Sequence, residues 1–369
     1  MNMQVLKNDE KAIFEMRTLY RKYGYSQYKM SKFEEYDLYV RNKDFLVSDN
    51  IITFTDTDGK LMALKPDVTL SIIKNTNESE NTVHKVYYNE NVYRVSKGTH
   101  SFKEIMQVGL ECIGAIDDYC IYEVVMLAAK SLENISESFV LDISHMGIVS
   151  GVIDSLGISH AGRKQLVKCI SEKNLHGISA VCDAEGVDGE ALRKLVSVYG
   201  GTDAVMPVLE SIGLDRSNPD VNKLMQVVAA LEGCGFKNKV RIDFSVISDT
   251  KYYNGFVFKG FIEGISESIL SGGQYDNLMR KVGKSCGAIG FAVYLDMLER
   301  LCENENEYDV DTVILYEEGC DLGALNNAVS MLTANGKTVM AQKAVPEKIK
   351  YKQLLKLNER GVEIIENNA

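Results

Sequence analysis

An uninterrupted β-strand pattern from Phe102 to Ile113 constrains the fold of this chain more than any other stretch. Successive side chains of a strand point to opposite faces of the sheet, so this segment has one apolar face and one polar face. The apolar face carries Met106, Val108, Leu110 and Cys112, and the polar face carries Gln107, Gly109 and Glu111. An amide, a gap and a carboxylate in a row suit the floor of a pocket for a small amino-bearing ligand. On alternation alone, a solvent-facing strand surface is the simpler interpretation.

The other strand patterns come in consecutive runs, with helices grouped between and around them. The segments Ile51–Thr55 and Leu61–Leu64 flank Asp58-Gly59, which favours a hairpin because both central residues need positive φ. Such runs indicate an α+β domain built on a largely antiparallel sheet flanked by helices. An almost wholly helical pattern from about 146 to 238 indicates an insertion in that domain.

Three further segments carry specific expectations. Residues 89–91 are predicted to form a turn between the strands Lys85–Tyr88 and Val92–Val95. A helix is predicted from Phe291 to Leu301, and a second one with a basic, solvated face from Glu347 to Leu357.

The acidic, polar run at 303–308 is typical of a linker. It divides the chain into a domain at 1–302 and a small α/β unit at 309–369.

Composition excludes several functional classes. Forty-one Lys and Arg against 52 Asp and Glu give a net charge of −11, so the basic footprint of a nucleic-acid-binding protein is not expected. The eight cysteines form no CxxC pair, which favours reduced thiols over a disulfide framework or a metal site. Neither a phosphate-binding glycine loop nor an apolar signal or membrane segment is present, so we expect a cytoplasmic protein without a cofactor.

Two aromatic and glycine-rich segments are further candidate walls of a site. One is Tyr252-Tyr253-Asn254-Gly255, whose tyrosines combine an apolar body with a hydroxyl tip. The other runs from Gly272 through Tyr275 to Asp276, where paired glycines allow close approach of a ligand. By themselves, an aromatic strand is more often core and a glycine pair is often only a turn.

Taken in order, these segments resemble a known family over about residues 5 to 302. The matching motifs are Leu64–Thr69, Val92-Tyr93-Arg94, Gln107–Glu111, Tyr252–Gly255, Gly272–Asp276 and Gly290-Phe291-Ala292. Their layout is similar to the catalytic domain of histidyl-tRNA synthetases, a class II synthetase fold, and to their paralogues, the regulatory subunits of ATP phosphoribosyltransferase. The C-terminal unit resembles a shortened anticodon-binding domain more weakly.

The departures from the synthetase pattern fall on the groups that handle ATP. Where synthetases carry Arg-Gly-Leu-Asp-Tyr-Tyr, the chain begins the motif with Ser248. In the third class II motif, Tyr294 replaces a glycine and Met297 replaces the ATP-binding arginine, and Ser31 stands at the proline of the first motif. Adenylate formation needs fixed cations at the α-phosphate, and one lost donor of this kind typically costs about 10²–10³ in rate. Only Arg94 is retained, as a possible anion contact.

The resemblance implies an intact histidine pocket. Asp67, Thr69 and Gln107 would hold the α-amino group, Glu111 and Tyr253 would address the imidazole, and Tyr252 and Tyr275 would lie nearby. It further implies a non-catalytic regulatory subunit that binds the short-form catalytic chain, L-histidine as the effector, and a homodimer within a hetero-octamer. A divergent histidyl-tRNA synthetase and a free-standing histidine-binding protein stay open as alternatives.

Overall fold

The computed structural model describes residues 7–42, 51–76, 82–95, 101–247, 253–301, 308–358 and 361–368, with only the backbone for 299–301. The chain divides into two compact units, Met1–Arg300 and Leu301–Ala369. Of the expected linker, residues 303–307 lie outside the described ranges.

The described part of the first unit contains a large central sheet and a small one. The strands are β1 (Ser26–Gln27), β2 (Phe33–Glu35), β3 (Thr53–Thr55), β4 (Leu61–Leu64), β5 (Val83–Val95), β6 (Phe102–Gly114), β7 (Phe139–His145), β8 (Tyr199–Gly200), β9 (Val240–Asp243), β10 (Phe256–Ile262), β11 (Leu270–Gln274) and β12 (Gly287–Tyr294). The large sheet has the order β1-β5-β6-β12-β11-β10-β7-β9-β8, and the small one β2-β4-β3. Only β1 with β5 and β7 with β9 pair in parallel among these strands. The expectation of a largely antiparallel α+β sheet is confirmed.

Helices surround the sheet and form the insertion. They are α1 (Asn8–Lys22), α2 (Tyr36–Val40), α3 (Thr69–Asn75), α4 (Asp118–Glu133), α5 (Met146–Ser155), α6 (His160–Ser171), α7 (Leu175–Glu185), α8 (Glu190–Ser197), α9 (Thr202–Ser211), α10 (Pro219–Leu231) and α11 (Asp276–Lys281). A π-helical turn at Glu232–Phe236 follows α10, and a 3₁₀ helix at Leu295–Leu301 follows β12.

The main core lies on the apolar face of β6. Helix α4 begins after Asp117, whose side chain accepts a hydrogen bond from the backbone N–H of Cys120. Its buried residues pack in one cluster with Leu110 and Val108 of β6. Because this face is filled by the core, the opposite face of β6 is the one available to a ligand.

The expected turn at residues 89–91 is wrong, because β5 runs unbroken through it. Asn89 pairs with Val108 of β6 and Asn91 with Met106, within a ladder of 13 residue pairs. The polar side chains find partners beside the strand: the Asn91 amide donates to Glu104, and the Lys65 ammonium donates to Glu90. The pairing with β6 outweighs the local preference of these residues for a turn.

The helix expected from Phe291 to Leu301 is wrong for its first four residues, which belong to β12, whereas Leu295–Leu301 forms a 3₁₀ helix. This strand lies between β6 and β11, where Phe291 pairs with Leu110 on one side and with Gly272 on the other. The Phe291 ring makes an edge contact with Tyr20 of α1. Tertiary packing therefore decides the conformation of this segment.

The second unit is a small α/β layer with its own core. Its elements are β13 (Val310–Leu315), α12 (Leu322–Ala334), β14 (Val339–Gln342), β15 (Tyr351–Asn358) and β16 (Gly361–Asn367), with the sheet order β14-β13-β15-β16. The helix expected at Glu347–Leu357 is wrong, because β15 covers most of it. Leu355 and Leu357 alternate onto the face that packs against α12, a period of two that fits a strand.

Candidate functional site

The polar face of β6 is buried in the first unit under side chains from neighbouring segments, and we call this cluster the pocket. Gln107 is 3% exposed and Glu111 is 2% exposed, so the simpler interpretation of a solvent-facing surface is wrong. Glycines make room for these side chains: a Cβ added to Gly290 would lie 1.8 Å from Glu111 Oε2, and one added to Gly109 would lie 2.5 Å from the Tyr88 hydroxyl. The polar row that sequence reasoning found is therefore enclosed by close-packed neighbours.

Glu111 is the hub of this pocket. Thr69 Oγ1, from the first turn of α3, donates to Glu111 Oε1 at 2.8 Å. The Tyr275 hydroxyl, from the junction of β11 and α11, donates to Glu111 Oε2. Three segments that are distant in sequence thus converge on one carboxyl group.

Burial raises the pKa of Glu111 to about 8, although the hydrogen bonds from Tyr275 and Thr69 act to lower it. The nearby Asp67 carboxylate raises it further. At neutral pH the Glu111 carboxyl group is therefore mainly protonated, and it can both donate and accept a hydrogen bond. A basic nitrogen beside it would accept this proton, and a cationic nitrogen would favour its loss.

The loop before α3 is fixed from β5. Asp67 Oδ1 accepts from the backbone N–H of Leu70 at 2.9 Å, which holds the carboxylate at the start of the helix. Arg94 Nε donates to the Pro66 carbonyl at 3.1 Å. The fully buried Lys65 donates to Glu90 at 2.9 Å, a contact that holds the same loop on β5. Burial raises the pKa of Asp67, and the Arg94 guanidinium opposes that effect.

Tyr253 lies in the segment just before β10 and packs on β11. Its ring lies against Gly273, where an added Cβ would come within 2.6 Å of Tyr253 Cδ1. The Asp276 carboxylate supports this segment, since it accepts from the amides of Asn254 and Gln274 and from the backbone N–H of Ala288. Tyr252 and Ser248 lie outside the described residues.

The structure adds residues that sequence reasoning missed. Tyr88, 1% exposed, lies opposite Gly109 and donates to the Phe291 carbonyl at 3.5 Å. Tyr294 lies opposite Gln107 across β6 and β12, on the pocket face. Both positions follow from the register of β5 and β12 on β6. The sequence could have indicated them only if these two segments had been recognised as continuous strands beside β6.

A cavity of about 450 Å³ lies beside Tyr294, the residue that pairs with Gln107. Its lining includes Arg94, Lys259, Tyr294, Asp296 and Met297. Arg94, for which an anion contact is expected, therefore lines the same cavity as Tyr294 and the uncharged Met297.

The described residues hold neither a metal-binding cluster nor a membrane-spanning helix. No group of three or more His, Cys, Asp or Glu side chains is arranged to hold a metal ion among them. Nor does any described helix combine the length and the apolar character needed to cross a bilayer.

The sequence profile of the histidyl-tRNA synthetase family matches residues 4–298. The chain belongs to this family. Among curated relatives, the ATP phosphoribosyltransferase regulatory subunit of Ruminiclostridium cellulolyticum is 25% identical over 367 residues, covering 96% of this chain and 87% of that protein.

Solved structures share the fold. A protein of Bacillus halodurans described as an ATP phosphoribosyltransferase regulatory subunit/histidyl-tRNA synthetase superposes with a TM-score of 0.72 at 22% identity, covering 95% of this chain and 93% of that one. A chain of the ATP phosphoribosyl transferase complex from Thermotoga maritima gives a TM-score of 0.62 at 19% identity, covering 79% and 98%. The class II synthetase-like architecture expected from the motifs is thereby confirmed.

Proposed function

We propose that this chain is a regulatory subunit of ATP phosphoribosyltransferase that binds histidine and conveys feedback inhibition to a separate catalytic chain. One observation carries the proposal: a preformed polar pocket centred on Glu111 adjoins a cavity in which Tyr294 and Met297 replace synthetase-type residues. A histidine site without an ATP site suits a sensor of histidine better than an enzyme that activates it.

Each part of the ligand has a suitable group in the pocket. The imidazole lies toward Glu111 and Tyr253, where a shared proton is favourable because burial raises the pKa of Glu111 to about 8. The α-amino group lies toward Asp67, Thr69 and Gln107, of which Asp67 carries the acidic group. Tyr252 and Tyr275 complete the set: Tyr275 does so through its hydrogen bond to Glu111, and Tyr252 by resemblance alone.

Amino-acid activation is not part of the proposed function. It would require cations that meet the charge developing on the α-phosphate, each worth about 10²–10³ in rate. Met297 is uncharged, and Arg94 already donates to the Pro66 carbonyl. The chain would act without catalysis of its own, and the phosphoribosyl transfer would take place on the partner.

The proposed partner is the short-form catalytic subunit of ATP phosphoribosyltransferase. Support comes from the curated relative named as a regulatory subunit and from the fold shared with a chain of the Thermotoga maritima complex. We propose a homodimer of this chain within a hetero-octamer, acting in the cytoplasm at the first step of histidine biosynthesis, with neither nucleic acid nor a membrane as a partner.

The test measures phosphoribosyl-ATP formation by the cognate catalytic chain, with and without this protein, while histidine is titrated. We expect stimulation that histidine reverses, with no phosphoribosyl-ATP formed by this chain alone. Coupling of this kind is typically about 1–3 kcal/mol and reciprocal, so substrates of the assembly should weaken histidine binding equally. Absence of stimulation would contradict the proposal.

A divergent histidyl-tRNA synthetase is the second candidate, favoured by the nearly complete amino-acid pocket and by the appended α/β unit. It predicts histidine-dependent exchange of pyrophosphate into ATP by the isolated chain. Exchange above that of a Glu111→Gln variant would favour the synthetase over the regulatory subunit.

A further inference from the structure

A cavity of about 460 Å³ in the first unit is lined by residues of α2, α3 and α11 and of the segments that follow α2 and α11. Among the described residues that line it, four are basic and none is acidic. The basic residues are Arg41, Lys74, Lys281 and Lys284. A cleft lined by one sign of charge concentrates ions of the opposite sign, even in a chain whose net charge is −11. We call this space the basic cavity.

The floor of the basic cavity is apolar and held by the core. Its apolar lining residues belong to one hydrophobic cluster of the first unit or pack against it: Leu38, Leu70, Ile73 and Val282. The segment after α2 is also fixed, because the side-chain amide of Asn42, which is 7% exposed, donates to the Leu38 carbonyl at 2.8 Å. The cavity therefore combines an apolar floor with positive charge around it.

Two of the four cations also stabilise the fold. The Lys284 ammonium donates to the carbonyls of Ile73 and Thr76 at the C-terminal end of α3, where a positive charge is favourable. Lys74 donates to Glu34 at 2.9 Å. An ammonium group has three N–H donors, so both lysines can keep these contacts and still donate to an anion.

Arg41 and Lys281 are exposed at the edge of the basic cavity. Arg41 lies 3.5 Å from Asp37, but its side chain is 79% exposed and that of Asp37 is 74% exposed. Such an exposed pair contributes little, so an arriving anion can compete for the guanidinium. The planar fork of an arginine matches two phosphate oxygens at once, and lysines add point charges beside it.

We propose that the basic cavity binds an organic polyphosphate, a molecule with two or three phosphate groups on an apolar or aromatic body. The phosphates would contact the four cations, which come from three separate segments, and the body would lie on the apolar floor. The volume is that of a small-molecule site. The inference does not depend on the proposed function, because neither histidine nor a catalytic partner contributes to this site.

Calorimetric titration of the full chain with ATP, inorganic pyrophosphate and adenosine, without Mg²⁺, tests the proposal. We expect ATP to bind at least about tenfold more tightly than adenosine, because adenosine brings no charge to the four cations. ATP should also bind more tightly than pyrophosphate, which does not cover the apolar floor.

Arg41→Gln and Lys281→Gln should each weaken ATP binding about 3–10-fold, as expected for a charged contact that is partly exposed to solvent. Lys168→Gln is the matched control. It removes the same charge from an exposed i,i+4 pair, formed with Glu172 in α6, and Lys168 does not line the basic cavity. ATP affinity in this control should stay within about twofold of the wild type. Melting curves establish that each variant is folded.

Several results would overturn the proposal. Absence of ATP binding, or equal affinity for ATP and adenosine, would show that the cations do not form a phosphate site. An equal loss in Lys168→Gln would mean that only net charge matters. A further variant, Lys259→Gln, alters the cavity beside Met297. Weaker ATP binding in this variant, with unchanged binding in Arg41→Gln and Lys281→Gln, would place the nucleotide there instead.

Discussion

Two neighbouring regions are built in different ways: the cavity beside Met297, and the polar trough, which is the row of Gln107, Gly109 and Glu111 on β6 with Thr69 and Tyr275. The trough depends on strand register, which aligns Glu111 with Gly290 and brings Thr69 and Tyr275 onto one carboxyl group. The cavity lies at the end of β12, where side chains alone decide what fits.

This difference explains how one function can be lost while its neighbour is kept. Exchanging two side chains at a strand end, as at Tyr294 and Met297, leaves the ladder of the sheet intact. Altering the trough would disturb a glycine row that lies between packed strands. A family member can therefore lose chemistry at the cavity and still recognise the amino acid.

The largest effect should come from adding a side chain at Gly290, where Glu111 packs directly on the backbone. A Cβ at Gly290 would lie 1.8 Å from Glu111 Oε2 and 2.5 Å from the Leu110 carbonyl, so Gly290→Ala must displace the hub of the pocket. We expect histidine binding to weaken by about 100-fold or more, since overpacking of this kind costs about 1–3 kcal/mol and the contacts of Glu111 are lost as well. Calorimetry of the purified variant measures it.

Gly151→Ala in α5 is the control for that substitution, because nothing lies within 4 Å of its added Cβ. It should bind histidine as the wild type does. An unchanged histidine affinity in Gly290→Ala would mean that the ligand does not contact Glu111.

Glu111→Gln should have the next largest effect. A glutamine oxygen can accept from Thr69 or Tyr275, but its amide would meet the other donor, so we expect about 10–100-fold weaker histidine binding with assembly intact. Binding should also be proton-linked in the wild type. Between about pH 6.5 and 8, the imidazole of free histidine is neutral and Glu111, whose pKa is raised to about 8, is protonated. Only in this pH range can the two groups share one proton without net uptake or release of protons.

Wild-type affinity should therefore be highest between about pH 6.5 and 8 and fall on both sides. Titrations in buffers of different ionisation enthalpy report the protons exchanged. The loss of histidine affinity above pH 8 should be absent in Glu111→Gln. A loss of affinity shared by both proteins would instead result from titration of the α-amino group of the ligand.

A smaller effect concerns stability without ligand. The native Glu111 has a raised pKa, so between pH 4.5 and 8 the folded chain binds more protons at this residue than the unfolded chain. The free energy of unfolding must then fall as the pH rises through this window. We expect the wild-type Tm to drop by at least about 2 °C more than that of Glu111→Gln, the shift that about 1 kcal/mol gives in a domain of this size class.

Other groups titrate in the same window and make the variant comparison necessary. Burial and the neighbouring Asp243 raise the pKa of Asp142 to about 6, which lowers stability with rising pH in both proteins alike. Parallel Tm curves for wild type and Glu111→Gln would contradict the raised pKa of Glu111.

Sequence patterns predicted what depends on local alternation and turn chemistry. The strand β6, the α4 cap at Asp117 and the polar row of Gln107, Gly109 and Glu111 could all be found in this way. The conformations of β5, β12 and β15 could not be predicted in this way, because pairing with neighbouring strands outweighs the local preference of their residues. Tyr88 and Tyr294 were missed for the same reason: their place in the pocket exists only once the register of three strands is known.

The smallest effect should follow from removing residues 308–369. Every described group of the trough lies between residues 67 and 294, and the second unit has hydrophobic clusters of its own, around Val313 and around Ile314. A chain ending at residue 307 should bind histidine within about twofold of the full chain, as expected for changes that share no partners with the site. Calorimetry on both chains measures this, with melting curves to establish that the shorter one is folded. A folded shorter chain that had lost histidine binding would show that the trough depends on the α/β unit, and the contrast between trough and cavity would no longer describe the whole site.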